Sequence, residues 1–430
     1  MPQPLCFIDN KYYDCGRYAD IVRDLSSYPE ICQTYQGKFK FTIVGVICVN
    51  SQPVVVFPKN YCTDIDSEKE LLPDAKTLAK VLIRYRNEAG HEPEEMRLLY
   101  GDGKMNSSLI AVAMFLLEDY CQNGYLRRQS VITTTHSSGR IDWKSTVNTV
   151  LPVISNGSPL YPDPVLKKRK DNENNIVVLA HKYVINKCFS EWGWLLGYDD
   201  YKTGSTALPY PLTEVIFALR KELRQTFQSR EIRVIKSLIQ YLEEQTSNQE
   251  SGQIRVMATP YFSFVWESIC GYLMDNQYTR LKSLLPQPVW ESHIVSGHIS
   301  QRPDIYHVRK NVLYILDAKY YDYNHNIPGW HDVVKQLFYR HTMKAIEHSR
   351  EYVRMLPDTK AIFNGFLFPG NGDDCCYVGR VHVPTVPDLG EVKAFAINQK
   401  QALTAYAYRN NDSFISTVRN AVQNEFFRGN

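Results

Sequence analysis

The chain has 430 residues, of which 44% are hydrophobic and 12% are aromatic, a composition typical of folded globular proteins and not of disordered ones. This length exceeds one ordinary hydrophobic core, so we expect two or three domains. The formal net charge of +3 argues against a dedicated DNA-binding module, which is normally more basic.

The cysteines and the apolar runs limit the class of protein further. Ten cysteines show no C-x₂-C spacing, which argues against a zinc site and against a disulfide framework. No sustained apolar stretch opens the sequence, and apolar runs such as 41–49 and 109–117 are too short to span a bilayer. We therefore expect a cytoplasmic protein with reduced thiols and no membrane association.

The amino-terminal half alternates β-rich and helical patterns. Residues 38–49 and 54–57, separated by turn residues 50–53, predict a β-hairpin. The run 167–170 holds four basic residues and is interpreted as a solvated loop, with a phosphate contact as the alternative. The polar segment 246–252 predicts a linker. The remaining patterns predict helices over 74–86, 107–121, 176–196 and 212–245 and a strand-like or irregular segment over 139–153.

A motif for nucleotide hydrolysis is absent from the sequence. No segment reads G-x₄-G-K-[ST], the loop that cradles nucleotide phosphates. Residues 101–105 read Gly-Asp-Gly-Lys-Met, which lacks both the first-glycine spacing and the hydroxyl. The chain is therefore not expected to hydrolyse nucleotides itself.

Glu267 is the only charged residue between Val256 and Met274. Because the segment around it is apolar nearly all round, it predicts a buried helix. A lone carboxylate inside such a helix needs a partner. The partner is either an arginine elsewhere in the chain or a metal ion, and the metal ion is favoured.

A predicted hairpin follows in the chain. The β-rich runs 305–308 and 312–316 flank a basic turn at 309–311. This hairpin places Asp304 opposite Leu316 or Asp317. Because side chains alternate along a strand, Asp317 and Lys319 share one face.

The environment of these charges indicates their role. The strand before Asp317 is apolar on both faces, which predicts a buried central strand. Burial of the Asp317 and Lys319 charges without partners costs folding free energy. A metal, a phosphate or an ion pair between the two residues must therefore compensate. Two carboxylates and one ammonium suit a divalent cation beside a lysine that steadies a hydroxide or a phosphate oxygen. The alternative is a solvated surface pair.

A further helix is predicted to begin soon after Pro328. Gln336 and Tyr339 lie one turn apart on it, so both can face the same groove. An ordinary amphipathic helix would show the same spacing. The later part of the chain predicts strands over 361–368, 377–383 and 392–397 and a closing helix over 399–408.

Taken together, Glu267, Pro303-Asp304, Asp317-Ala318-Lys319 and the Gln336 helix resemble the PD-(D/E)xK nuclease superfamily. Within it, the chain is similar to McrC-type nuclease subunits of nucleotide-dependent restriction systems, and most of all to their LlaJI-like branch. The branch is indicated by short matches, which are Val265-Trp266-Glu267, Gln336-Leu337-Phe338-Tyr339, Val44-Gly45-Val46-Ile47, Pro58-Lys59 and Gly139-Arg140-Ile141-Asp142-Trp143.

The resemblance implies an α/β (α+β) fold. An amino-terminal mixed α/β domain that docks on a partner would occupy residues 1–165. A helical middle region and linker would occupy 166–252. A PD-(D/E)xK nuclease domain, with a mixed central sheet flanked by helices, would occupy 253–430.

The resemblance also implies a metal site. Asp304 and Asp317 would coordinate Mg²⁺, with Mn²⁺ as an acceptable substitute. The carbonyl of Ala318 would be a further ligand, and Glu267 would help to hold the metal or orient the water.

The same resemblance implies the remaining roles and the partners. Lys319 would activate the attacking water or stabilise the pentavalent phosphate, and Gln336 would contact the scissile strand of double-stranded DNA. The motor would be a separate McrB-like AAA+ GTPase, a hexameric ring on which the amino-terminal domain docks and whose GTPase it stimulates. Two alternatives stay open: a stand-alone PD-(D/E)xK endonuclease whose amino-terminal domain reads DNA, and a non-catalytic adaptor of an AAA+ ring.

Overall fold

The computed structural model describes residues 4–50, 52–61, 71–88, 108–134, 138–196, 207–247, 254–290, 297–298 and 302–428. Over these residues the protein has the predicted mixed α/β fold. No helix in this part of the chain is long and apolar enough to cross a membrane. Most of the predicted linker at 246–252, and all of 101–105, lie outside the described residues.

The described residues contain both strands and helices throughout their length. The strands are β1 (Leu5–Ile8), β2 (Tyr13–Asp14), β3 (Cys32–Tyr35), β4 (Lys38–Phe41), β5 (Val44–Val49), β6 (Gln52–Phe57), β7 (Gln129–Thr134), β8 (Arg140–Ile141), β9 (Val153–Ser155), β10 (Ser158–Leu160), β11 (Leu166–Asp171), β12 (Ile254–Thr259), β13 (Val289–Trp290), β14 (Gly297–His298), β15 (Ile305–Arg309), β16 (Val312–Ala318), β17 (Ala361–Gly370), β18 (Cys375–His382) and β19 (Glu391–Asn398). The helices are α1 (Ala19–Leu25), α2 (Leu72–Asn87), α3 (Ser108–Asn123), α4 (Trp143–Thr149), α5 (Ile176–Trp192), α6 (Leu212–Leu223), α7 (Ser229–Ser247), α8 (Phe262–Leu273), α9 (Tyr278–Leu281), α10 (Trp330–Ala345), α11 (Arg350–Met355), α12 (Gln399–Tyr408) and α13 (Asp412–Arg428).

The chain forms two compact units. Unit 1 combines residues 1–108, 195–197 and 252–430, and unit 2 combines residues 109–194 and 198–251. Strand β12 pairs with β5, and this pairing joins the carboxy-terminal region to the amino-terminal sheet within unit 1. The units are thus bounded differently from the three predicted domains, whose functional division stays a prediction. Those predicted domains are 1–165, 166–252 and 253–430.

The first sheet of unit 1 has the strand order β1-β6-β5-β12. Strands β5 and β6 form the predicted hairpin, β1 runs parallel to β6, and β12 runs antiparallel to β5. At Gly45, where φ is +151°, a Cβ atom would lie 2.2 Å from the carbonyl oxygen of Met257. The close approach of β12 to β5 therefore requires a glycine at this position.

A hydrophobic cluster lies against this sheet. Phe7, Ile47 and Val54 pack there with Phe39 and Phe41 of β4, and all five side chains are buried. Strand β4 belongs to a separate sheet of order β2-β4-β3, so the predicted single strand over 38–49 is wrong. The chain leaves the strand conformation between β4 and β5 so that the two strands can join different sheets.

The second main sheet of unit 1 has the order β15-β16-β17-β19-β18. Its inner pairs β16–β17 and β17–β19 are parallel and its outer pairs are antiparallel, which makes it the mixed sheet that the resemblance implied. The predicted hairpin is confirmed as β15–β16. Its turn has two residues and not the three predicted, because Arg309 pairs with Val312. Lys310 and Asn311 both have positive φ, as a tight two-residue hairpin turn requires.

Helices surround this sheet. Helix α10 packs on β16, β17 and β19, helix α8 packs on β16, and helix α13 packs on β18. Residues 312–316 of β16 are all buried, as predicted for a central strand. The predicted strands and helix over 361–408 are confirmed, whereas α13 was not predicted.

A polar contact joins the end of β16 to the amino-terminal sheet. The hydroxyl of Tyr320 donates to Oδ2 of Asp9 at 3.2 Å and accepts from the main-chain N–H of Lys59 at 2.7 Å. The Lys59 ammonium lies 5.0 Å from the centre of the Tyr320 ring. The residue that follows Lys319 is thus held by the loops after β1 and β6.

We expect Asp9→Asn to stabilise the protein near neutral pH. Burial raises the pKa of Asp9 to about 6, although Lys59 and the Tyr320 hydroxyl lower it. Because this folded-state pKa lies above the unfolded value, Asp9 stabilises the fold below about pH 4, and that contribution is lost as the pH rises to about 6. The stability gained by the variant should therefore be larger at about pH 7 than at about pH 4, by on the order of 3 kcal/mol.

Urea unfolding of the full chain at both pH values measures this difference. The matched control is Asp358→Asn, which removes a carboxylate from an exposed position. A stability change for Asp9→Asn that is equal at both pH values would contradict the assignment of a buried, readily protonated carboxyl group.

Unit 2 consists of helices and short strands. Helices α5, α6 and α7 pack on one another, and Arg230 of α7 forms hydrogen bonds to both carboxylate oxygens of Asp119 of α3 at 2.8 Å. The predicted helix over 212–245 is interrupted between α6 and α7. The predicted helices over 107–121 and 176–196 are confirmed as α3 and α5, and the predicted helix over 74–86 is confirmed as α2 of unit 1.

One prediction for unit 2 is wrong, and a second is correct only in part, since strand β8 covers just Arg140–Ile141 of the segment 139–153. The basic run 167–170 lies in strand β11, which pairs with β7 and β8, and not in a loop. Its side chains remain exposed, and Lys167 forms an ion pair with Asp142 at 2.7 Å. The segment 139–153 contains helix α4, which begins directly after Asp142, a residue type favoured before a helix.

Candidate active site

The hairpin β15–β16 brings two carboxylates together. Ile305 pairs with Leu316, so Asp304, which immediately precedes β15, lies opposite Asp317 in β16. This is one of the two predicted placements. The register follows from the tight turn, because a two-residue loop leaves the strands only one alignment.

The carboxyl group of Asp304 is crowded by negative charge. Its Oδ2 accepts a hydrogen bond from the main-chain N–H of Ala318 at 2.8 Å. Burial raises the pKa of Asp304 well above its usual range, and the charges of Asp317 and Glu267 raise it further. A hydrogen bond between the Asp304 and Asp317 carboxyl groups contributes in the same direction. Such a pair of oxygen donors fits a hard divalent cation, whose charge would remove the repulsion.

Lys319 lies beside this pair and is held by two carboxylates. Its Nζ is 2.8 Å from Oδ2 of Asp317 and 2.9 Å from Oδ1 of Asp332. Burial lowers the pKa of Lys319, but the Asp317 charge and the hydrogen bonds to both aspartates outweigh burial and raise it above its usual value. Lys319 is therefore an ammonium at neutral pH in this arrangement and can supply positive charge to a phosphate.

Asp332 belongs to the site although the sequence analysis did not identify it. It lies in the first turn of α10, and its Oδ2 accepts a hydrogen bond from the hydroxyl of Tyr321 at 3.1 Å. A signal was present in the sequence, because Asp332 precedes Gln336 by four residues and so shares its helical face.

Glu267 lies on α8 near the two aspartates. Its charge raises the pKa of Asp304, which places the two groups within electrostatic reach. Trp266, Ile269 and Leu273 of α8 are buried, as expected for the apolar segment, and Trp266 donates from Nε1 to the carbonyl of Leu367 at 3.2 Å. Glu267 itself is half-buried. Within the described residues, no three His, Cys, Asp or Glu side chains form a metal-binding group, so the role of Glu267 as a metal ligand stays a prediction.

Gln336 is buried between α10 and the sheet. Only 1% of it is exposed, and its Nε2 donates to the carbonyls of Ile315 at 2.9 Å and Gly365 at 3.3 Å. The main-chain carbonyl of Gln336 accepts from Nδ2 of Asn364 at 2.9 Å. In this arrangement Gln336 joins α10 to two strands, and its contact with a scissile strand stays a prediction.

Tyr339 lies close to the aspartates. Burial raises its pKa, and the charges of Asp317 and Asp304 raise it further, whereas a hydrogen bond from the main chain of Arg302 lowers it. Tyr339 therefore faces the carboxylates. Gln336 and Tyr339 are both buried on α10, and their common groove stays a prediction.

Comparisons with known proteins indicate the family of the chain. A family model described as LlaJI restriction endonuclease matches residues 43–398. The Bacillus subtilis (strain 168) protein named Type II restriction enzyme BsuMI component YdjA is 27% identical over 396 residues, which are 85% of this chain and 81% of that protein. A chain of the solved structure titled "Refined half-complex from tetradecameric assembly of Thermococcus gammatolerans McrB AAA+ hexamers with bound McrC" aligns with a TM-score of 0.42 and 12% identity over 95% of this chain and 100% of that chain.

Proposed function

Because the chain belongs to the LlaJI restriction endonuclease family, we propose that it is a Mg²⁺-dependent nuclease subunit that hydrolyses phosphodiester bonds of double-stranded DNA. The observation that carries the proposal is the pairing of Asp304 with Asp317 at one end of a mixed sheet, with the Lys319 ammonium 2.8 Å from Asp317. Family membership supports a nuclease, and the carboxylate–lysine group supports a metal-dependent one.

Each residue of the candidate active site would have a separate role in hydrolysis. The Asp304 and Asp317 carboxylates would hold Mg²⁺, with Mn²⁺ as a substitute, and the Ala318 carbonyl would be a further oxygen donor. Bound Mg²⁺ would supply positive charge at the phosphate and acidify the attacking water. Lys319 would stabilise the negative charge that develops on the phosphate as the water oxygen bonds to phosphorus and the P–O bond to the leaving oxygen breaks. Glu267, close to Asp304, would orient the water.

We further propose that the subunit acts with a McrB-like AAA+ GTPase. The chain has no G-x₄-G-K-[ST] motif, so a step driven by nucleotide hydrolysis would need a partner. Docking on the ring and stimulation of its GTPase are assigned to the amino-terminal region. Fragments are a poor test of this assignment, because a break near residue 252 would remove β12 from the sheet it completes. The full chain is the appropriate material.

A cleavage assay tests the proposed function. The full-length protein is incubated with plasmid DNA and Mg²⁺, with and without the candidate GTPase and GTP, and EDTA serves as the metal control. Cleavage that requires Mg²⁺, GTPase and GTP together is the expected result. Cleavage without GTPase and nucleotide would favour the stand-alone endonuclease, and GTPase stimulation without any cleavage would favour the non-catalytic adaptor.

A further inference from the structure

Lys319 forms ion pairs with two carboxylates, one on a strand and one on a helix. Asp317 lies two residues away on β16, whereas Asp332 comes from the first turn of α10 and approaches Nζ to 2.9 Å. Lys319 and Asp332 are both largely shielded from solvent, with 18% and 17% of their side chains exposed. This shielding makes their ion pair stronger than a pair on the surface.

Asp317 and Asp332 cannot both hold the Lys319 ammonium equally well during the proposed reaction. A cation held by Asp317 would use that carboxylate's charge and repel the nearby ammonium. Asp332 lies outside the Asp304–Asp317 pair, so its carboxylate would remain ion-paired with Lys319 when the metal is bound. A long, flexible lysine side chain without such an anchor would leave its productive position.

We propose that Asp332 is a positioning residue that holds the Lys319 ammonium at the scissile phosphate while Asp317 holds the metal. This inference rests on the proposed nuclease function. Asp332 is itself fixed, because the Tyr321 hydroxyl donates to its second oxygen at 3.1 Å. Its place in the first turn of α10 adds the favourable interaction of a carboxylate with a helix amino terminus.

The charge state of Asp332 agrees with this role. Burial raises its pKa, but the hydrogen bond and charge of Lys319 and the hydrogen bond from Tyr321 outweigh burial. Nearby Lys335 lowers the pKa as well. Asp332 is thus ionised at neutral pH and can hold an ammonium.

Steady-state cleavage by full-length Asp332→Asn tests the inference. We expect kcat to fall by on the order of tenfold to a hundredfold, with KM and the Mg²⁺ concentration for half-maximal activity close to wild type.

Asp332→Glu should recover part of the loss, because it restores the charge. Tyr321→Phe should show a smaller loss in kcat, because it frees only one oxygen of Asp332. Asp358→Asn, at an exposed position in unit 1, is the matched control for removal of a carboxylate and should match wild type.

A double-mutant cycle separates positioning from a structural role. If Asp332 acts through Lys319, Asp332→Asn should change the residual activity of Lys319→Ala by less than about twofold. An equal loss in both backgrounds would overturn the inference, as would full activity of Asp332→Asn. Thermal unfolding of each variant shows whether the fold is intact.

The proposed function and the inference can fail separately. An active Asp317→Asn variant would refute the nuclease site itself. An inactive Asp317→Asn variant beside a fully active Asp332→Asn variant would leave the nuclease site in place and refute only the role of Asp332.

Discussion

We expect Asp317→Asn to abolish DNA cleavage and to leave the fold intact. The amide keeps the volume of the side chain but loses the charge that a hard cation requires. The neutral residue removes the repulsion between Asp317 and Asp304 but also removes the charge that pairs with the Lys319 ammonium at 2.8 Å. Because these two effects on stability oppose each other, we expect an unfolding midpoint close to that of wild type.

The measurement is cleavage of DNA in Mg²⁺ by the complete assembly. Residual activity above about a tenth of wild type would exclude Asp317 as a metal ligand, because removal of a ligand charge costs far more than that. Stimulation of the partner's GTPase by Asp317→Asn should remain at the wild-type level, since the site is not assigned to docking. Asp358→Asn controls for the loss of one negative charge.

The carboxylate pair could be predicted because its geometry is local. Asp304 and Asp317 are joined by one tight turn, and turn length together with strand alternation determines which residues face each other. The same short-range signals predicted α2, α3 and α12 closely. Only the turn length differed, because two residues with positive φ suffice at Lys310 and Asn311.

Contacts between distant parts of the chain could not be predicted in this way. The antiparallel pairing of β12 with β5 depends on tertiary packing, and its clearest local sign is Gly45, whose role appears only once β12 lies beside it. The burial of Gln336 likewise depends on carbonyls of two neighbouring strands. Sequence spacing placed Gln336 on the correct helix but could not show that its Nε2 donates to two main-chain carbonyls.

We expect Lys319→Ala to lower the cleavage rate by on the order of a hundredfold or more, the usual scale for a positioned electrostatic group. The raised pKa of Lys319 supports a role as a fixed positive charge. Lys319→Met, which keeps most of the aliphatic stem, should lose as much activity as Lys319→Ala. A much milder loss for Lys319→Met would indicate that packing by the stem matters more than charge.

Calorimetric titration with Mg²⁺ distinguishes a charge role from a structural one. Lys319 is not a ligand, and its ammonium competes for Oδ2 of Asp317 at 2.8 Å. Its removal should therefore preserve Mg²⁺ binding or tighten it, while Asp317→Asn weakens binding in parallel measurements. If Lys319→Ala instead loses Mg²⁺ binding together with cleavage, then Lys319 holds the two aspartates in place and is not the group that stabilises the phosphate.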